Sequence, residues 1–478
     1  MDYCRIHITT RFALLILIIE LSLIMGLGLV LRSQTDVSPV DAQADTIYGK
    51  TPQEYEPYGR FTKPYKRYFL VPLEYPGYGR QIPEPARVDS VKIGFIGPII
   101  EDIYQADGTP ANISQRVNQE ITQWDGYYTS YLAPLGMKML QGAQLAIEQA
   151  NQNGGYRGKI PFQLVVRNDN GNWRSSGEEV VKLVWKDSVW AILGTIDGQN
   201  SHILIRVALK AEIPVMNTAD TDPTFIETNI PWVFRCITDD RQMCYALADF
   251  AFKKLGLKRI AALRAKNRYG RMSIDEFRDA ATRLGYPFVT ELQYEEGDTT
   301  FRSQLGVIKD LGVDGIITYG NSRESALILK QMRQLGMDQW FFGSDRMVTP
   351  EFLRIIGKNH GKVAAGYPYN PDSQDPKYLK FVIDFEKRFG EKPETYAANA
   401  FDGMSMIIEA TEKAGLNRAL IRDQLAAMTS YQGVTGIKKF DPIFNNRTPA
   451  IVAILKKGKF EFYTQEEILS EKFHIGKP

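Results

Sequence analysis

The sequence predicts an α/β protein built as two Rossmann-like lobes, and three observations predict it. From Val91 onward, short apolar runs of the kind that form buried parallel strands alternate with amphipathic helical stretches. These elements are more than one sheet comfortably holds, so the chain divides into two lobes. Polar turns rich in Gly, Asn and Asp follow several of the apolar runs, and in an open α/β sheet the ligand crevice lies at the carboxyl ends of the strands.

A chain of 478 residues, 44 % hydrophobic and 24 % charged, buries a large core. Acids and bases nearly balance, leaving a net charge of +2 and no dense basic stripe, which argues against a nucleic-acid partner. The three cysteines (Cys4, Cys236, Cys244) and four scattered histidines lack the spacing of a metal site, so neither a metal nor a cofactor is expected.

Taken in order, the first element is residues 1–33, a signal peptide or membrane anchor: Arg5 and Arg11 precede an apolar stretch over 12–31 that is long enough to span a bilayer. The small-residue pattern Ala42-Gln43-Ala44 lies farther from that stretch than a cleavage site usually does, which favours a retained inner-membrane anchor. Both readings place the globular part outside the cytoplasm, in a periplasm, where Cys236 and Cys244 either pair or remain buried thiols. Residues 34–90 are rich in Pro and Tyr, with Y-E-P-Y-G-R at Tyr55 echoed by Y-P-G-Y-G-R at Tyr75. This is an extended linker, or else an arm that docks in an aromatic groove.

Strands are expected at 91–96, 162–166, 190–193, 213–216, 259–263 and 315–318, and helices at 138–152, 178–185 and 303–311. Asn153-Gly154-Gly155 stops the first helix, and Asn168, Asp169 and Asn170 are turn residues. An enzyme is not expected. The first strand leads through Gly94 and Gly97 into Pro98 rather than into G-x-G-x-x-G, and no G-x-S-x-G, Cys–His pair or carboxylate cluster appears.

The turns themselves are distinctive: V-K-I-G-F-I-G-P from Val91, L-G-T-I-D-G-Q-N-S from Leu193, I-P-V-M-N-T-A-D-T-D-P from Ile213, K-N-R-Y-G from Lys266, F-F-G-S-D from Phe341 and G-V-T-G-I-K-K-F-D from Gly433. In this order and spacing the chain, from about Val91 to Phe462, resembles the type I periplasmic binding proteins of the branched-chain amino-acid (Leu/Ile/Val) group, the solute receptors of ABC importers. The resemblance implies three crossovers forming the hinge, near Ile237, Gly366 and Pro449. Lobe 1 is then residues 91–237 and 367–449, and lobe 2 is residues 238–366 and 450–478, with the hairpin at Lys457-Gly458 in lobe 2.

The resemblance also implies the ligand contacts. In lobe 1 the loop Ile196-Asp197-Gly198-Gln199 offers backbone N–H groups to a ligand carboxylate at a helix N-terminus, and Ala219 and Thr221 add a backbone group and a hydroxyl. In lobe 2 Tyr269 is an aromatic lid and Asp345 pairs with the ligand's ammonium; Tyr396 adds an aromatic contact from the returning lobe 1. Packing alone also accounts for Tyr269 and Tyr396, and Asp345 has its neighbour Arg346 as an alternative partner.

Four departures re-cut that pocket: Gly198 stands where the group often has serine, Asn321 where it has a tyrosine, Leu135 where an aromatic lies at the cleft mouth, and Asp197 would repel an anion unless it turns outward or caps the helix. An insertion at 99–130, carrying Trp124, Tyr127 and Tyr128, falls at the cleft rim. The function implied is an extracytoplasmic receptor that closes by hinge motion on a small polar ligand, an amino acid or an amide-like compound, and serves an ABC permease. The alternative is a membrane-tethered sensor of the same fold that signals to a partner protein.

Overall fold

The computed structural model describes residues 73–100, 132–228, 230–358 and 361–474. The anchor or signal expected at 1–33 and nearly all of the 99–130 insertion lie outside the described residues. No helix among the described residues is long and apolar enough to cross a membrane.

The first sheet is entirely parallel, in the order β2-β1-β3-β4-β5, with β1 at Val91–Gly97, β2 at Phe162–Asn168, β3 at Ile192–Gly194, β4 at Val215–Asn217 and β5 at Val233–Arg235. Every residue of β3, β4 and β5 is buried, as continuous apolar runs covered by helices on both faces require. The connecting helices are α1 (Ala133–Gln152), α2 (Trp173–Val181) and α3 (Gly198–Ala211). Helix α1 begins a turn earlier than the periodicity suggests because Pro134 sits in its first turn, where a missing N–H costs nothing. Helix α2 runs on into a π-helical turn at Lys182–Lys186, so the stretch expected as one regular helix changes pitch midway.

Leaving β5, the chain enters α4 (Asp240–Ala248), which packs on the second sheet. That sheet has the order β14-β13-β10-β9-β8-β6-β7. Its parallel strands are β6 (Ile260–Ala265), β7 (Thr290–Tyr294), β8 (Gly315–Tyr319), β9 (Trp340–Gly343) and β10 (Val363–Tyr367); β13 (Ile451–Lys456) and β14 (Lys459–Tyr463) add an antiparallel hairpin. The hairpin turns through Lys457 and Gly458, both at positive φ, the conformation that a two-residue turn between twisted strands needs. Helices α5 (Arg268–Arg283), α6 (Arg302–Asp310), α7 (Ser322–Gln334) and α8 (Pro350–Ile356) complete this lobe, together with α12 (Gln465–Leu469).

Between β10 and β13 the chain returns to the first lobe as α9 (Pro376–Phe389), α10 (Thr395–Ala414), α11 (Arg418–Ala426) and the hairpin of β11 (Ser430–Gly433) and β12 (Gly436–Lys439). Helix α10 packs along α1 so closely that a Cβ on Gly142 would stand 2.0 Å from the carbonyl oxygen of Ala397. The chain therefore passes between lobes three times. The Thr238 hydroxyl lies 3.3 Å from the carbonyls of both Pro368 and Thr448, joining the three passages. Lys438 of the G-V-T-G-I-K-K-F-D motif donates to the Cys236 carbonyl at 3.0 Å, and Asn446 donates to the same oxygen at 2.8 Å. That motif is hinge structure.

The linker expected over 34–90 ends sooner, because from Leu73 the chain is packed on the first lobe. Leu73 and Tyr75 are buried, and the Tyr75 ring meets Trp232 edge-on at 4.8 Å. The Tyr75 hydroxyl donates to Glu212 at 2.5 Å, Arg80 pairs with Asp423, and Asn417 donates to the carbonyls of Gly79 and Ile82. An apolar anchor plus a set of chain-to-lobe hydrogen bonds offsets the entropy of fixing this strap.

Candidate functional site

In both sheets the strand order reverses beside the first strand of the lobe, between β1 and β3 and between β6 and β8. The connections leaving the carboxyl ends of the strands carry the candidate residues apart from Tyr396, which sits in the first turn of α10. After β3, Asp197 caps α3, its Oδ1 accepting from the Gln199 N–H at 3.0 Å. After β4, Asn217 Oδ1 accepts from the N–H groups of Ala219 (3.1 Å) and Asp220 (2.9 Å), which folds T-A-D-T-D-P into a compact turn. From the second lobe, Asn267 caps α5 through the Gly270 N–H at 2.8 Å and so positions Arg268 and Tyr269. Ser344 caps a single 3-10 turn, Asp345–Met347, that carries Asp345 and Arg346 inward.

The two sets of loops meet. Arg268 of lobe 2 donates from Nε to Asp222 Oδ2 at 2.8 Å and from Nη2 to Thr224 Oγ1 at 2.7 Å, and its Nη2 lies 3.1 Å from His202 Nε2. Asp222, Thr224 and His202 all belong to lobe 1. Deeper in, the Tyr396 hydroxyl of lobe 1 donates to Asp345 Oδ2 of lobe 2 at 3.1 Å. The cleft is shut.

Inside it lies a guanidinium. Arg346 is 2 % exposed, its Cζ lies over the Tyr269 ring 3.5 Å from the centroid, and its Nη1 donates to Asn321 Oδ1 at 3.0 Å. It forms no ion pair with any described residue, and its Nε has no hydrogen-bond partner among them; the Tyr269 hydroxyl and Asp345 Oδ1 are likewise unpartnered. Burial pushes the carboxyls of Asp197 and Asp345 above the ordinary range, with the field of Arg346 opposing the shift in both. Asp240, at the first turn of α4, is driven well above that range by burial despite a 2.6 Å hydrogen bond from Ser273.

Known proteins supply the context for this arrangement. Residues 126–457 match the periplasmic binding protein family over well more than half of the chain. The protein belongs to the periplasmic binding protein family. Among curated relatives it is 24 % identical over 319 residues to an amino acid binding protein of Pseudomonas aeruginosa, covering 66 % of this chain and 84 % of that one. It is 24 % identical over 306 residues to Leu/Ile/Val-binding protein homolog 3 of Brucella melitensis, covering 63 % and 79 %. The fold matches the branched-chain amino acid transporter substrate binding protein of Streptococcus pneumoniae in complex with isoleucine at a TM-score of 0.66, with 22 % identity and 78 % and 98 % coverage. It matches a solute binding protein of R. palustris in complex with benzoate equally well, at 0.66, with 19 % identity and 78 % and 96 % coverage.

In this family member the structure places Asp197, Ala219, Thr221 and Asn321 on loops after strands, Gly198, Tyr269 and Tyr396 in the first turns of α3, α5 and α10, and Asp345 on its 3-10 turn. Gly198 is glycine for a visible reason: a Cβ there would stand 2.7 Å from Asp222 Oδ2 and 3.1 Å from Arg268 Nε, inside the cross-lobe contact. Ala219 has its N–H already taken by Asn217, and Thr221 uses its carbonyl to accept from the Asp240 N–H at 2.9 Å. Asp197 caps its helix, the second of the two dispositions open to it from sequence. Helix α3 accordingly starts at Gly198 rather than near Ser201.

Three groups in the cleft escaped the sequence reading: Arg346 as an inward-facing cation, Asp240, and the contact of Arg268 with Asp222, Thr224 and His202. The only trace Arg346 left in the sequence is its adjacency to Asp345; consecutive residues of a 3-10 turn point about 120° apart, so that adjacency alone does not aim it into the cleft. Cys236 and Cys244 are free, buried thiols, with Cys244 Sγ 2.9 Å from the Tyr319 hydroxyl.

Proposed function

We propose that this protein is the extracytoplasmic receptor of an ABC importer, closing by hinge motion around a small polar ligand, an amino acid or an amide-like compound. The observation that carries this reading is the shut polar cleft between two lobes joined by three hinge passages, bridged by Tyr396–Asp345 and Arg268–Asp222. A ligand that touches both lobes only when they are shut stabilises the closed form by its differential affinity. Relatives named for amino-acid binding, and a structural neighbour holding benzoate, support a small organic ligand.

In this reading lobe 1 is residues 91–237 and 367–449 and lobe 2 is residues 238–366 and 450–478. Asp197, Gly198 and Thr221 line the ligand from lobe 1 with Ala219 as a wall, and Tyr269, Asn321 and Asp345 line it from lobe 2 with Tyr396 closing the gap. The protein binds and releases its ligand without chemistry. Residues 12–31 tether it to the inner membrane, which also fits a sensor that reports ligand to a partner protein.

A thermal-shift screen of the full chain against amino acids, amides, polyamines and aromatic acids tests this. A ligand at ~100 times its Kd adds about 2.7 kcal/mol of stability. A stabilising solute that also compacts the protein in small-angle scattering supports the receptor, whereas stabilisation by none of them, with scattering unchanged, sinks it.

A further inference from the structure

We propose that Arg346 is the anion subsite of the cleft, and that the ligand is a carboxylic acid whose carboxylate docks on lobe 2 while a hydrogen-bond donor at its other end faces Asp197 on lobe 1. This rests on the receptor reading above and assigns that receptor a ligand class.

The guanidinium is held in place before any ligand arrives. Tyr269 supports its face at 3.5 Å and Asn321 Oδ1 accepts from Nη1 at 3.0 Å, while Asn321 is itself fixed by donating to Glu296 at 3.2 Å. Asp197 and Asp345 lie within reach of its field, but the structure provides no counter-ion in contact: no described carboxylate forms an ion pair with it, and Nε is left without a hydrogen-bond partner among the described residues. A buried cation lacking a paired anion is costly, and a planar fork with a free N–H is the geometry that takes a carboxylate.

Two further observations set the ligand's polarity. The face of Tyr269 and the acceptor of Asn321, which would receive a ligand cation in lobe 2, are both occupied by Arg346, so an ammonium arriving there meets a like charge. On lobe 1 the Asp197 carboxylate already takes the Gln199 N–H at the start of α3, so the place where that helix would hold an anion carries one of the chain's own. A carboxylate is unwelcome beside Asp197 and welcome beside Arg346. The polarity implied by the sequence resemblance, carboxylate on lobe 1 and cation on lobe 2, is thereby reversed.

The test is calorimetric titration of the full chain with matched acid and amide pairs: leucine and leucinamide, 4-hydroxybenzoate and 4-hydroxybenzamide, 4-aminobutyrate and 4-aminobutyramide. We expect wild type to prefer the acid by at least about tenfold in one pair or more. Arg346→Gln then lowers acid affinity by about 30-fold or more, leaves the amide within a few fold and so erases the preference, and Arg346→Lys restores part of it. A wild-type protein that binds amides as well as acids overturns the subsite without any variant, as does a preference that survives Arg346→Gln; either outcome leaves the receptor reading standing. Binding of no member of any pair by any of the three proteins overturns the acid ligand class and removes support from the receptor reading too.

Discussion

Arg268 of lobe 2 and Asp222 of lobe 1 form a 2.8 Å ion pair across the mouth of the cleft, with the carboxylate only 3 % exposed and the guanidinium 26 %. Three donor–acceptor contacts from one side chain make Arg268 a latch on the closed form. Charge-assisted hydrogen bonds of this kind contribute on the order of 1.5–3 kcal/mol. Arg268→Ala is therefore expected to open the unliganded protein, seen as a larger radius of gyration, and to weaken ligand binding on the order of tenfold or more. An unchanged scattering profile would show that the latch does not hold the lobes.

The same latch makes closure sensitive to acid. A guanidinium only donates, so His202 Nε2 accepts from it and the imidazole is neutral. Burial lowers the His202 pKa from its ordinary 6.5; Asp222 opposes the shift, while Arg268, Arg206 and Arg235 reinforce it. With the closed-state pKa depressed, the closed form is fully favoured above the ordinary value and is lost progressively as pH falls below about 6.5 through the depressed one. Ligand affinity measured from pH 7.5 to 5 is expected to fall in the wild type and to flatten in His202→Gln. Equal slopes for the two proteins would exclude His202 as the titrating group.

Arg241 holds two carboxylates, Glu227 at 2.5 Å and Glu276 at 3.0 Å, all three nearly or wholly buried. Burial pushes the Glu276 carboxyl up to about 7 against the opposing pull of Arg241. Removing the shared cation leaves both carboxyls without it, so Arg241→Ala is expected to lower unfolding free energy by about 3–5 kcal/mol in urea titration. The combined replacement Arg241→Met, Glu227→Gln, Glu276→Leu is expected to recover most of that loss.

Gly142 marks the closest approach of α1 and α10. With the Ala397 carbonyl oxygen 2.0 Å from any Cβ placed there, Gly142→Ala drives the helices apart, and a loss of about 1–3 kcal/mol is expected, contrary to the usual gain from replacing a helical glycine. Denaturant melts of the two proteins decide the sign.

Strands β1 to β4, β6 and β8 were legible in the sequence to within a few residues, because buried parallel strands are short apolar runs whatever surrounds them; β5, only three residues long, and β7, with a single fully buried residue, gave no such run. Helix ends were less so. Pro134 and Gly136 in the first turn of α1 and Gly198 at the start of α3 are poor helix formers, and only a first-turn position or an Asp197 cap makes them acceptable. The loops proposed to hold the ligand stand out in the sequence because their polar residues cluster beside strand ends. The latch was not, because Arg268 lies 46 residues from Asp222 and 66 from His202, and nothing local couples them. Arg346 was visible only as a possible partner of Asp345; its burial without an ion pair is a property of the folded cleft.

The strap from Leu73 to Ser90 has a mechanical consequence. Its contacts, to Trp232, Glu212, Asp423 and Asn417, are all with the first lobe. The strap therefore rides with one jaw, so that in the hinge motion proposed above lobe 2 is the part that swings relative to it. Any surface that reads the closed state from a fixed position beside the strap registers it as displacement of the second sheet.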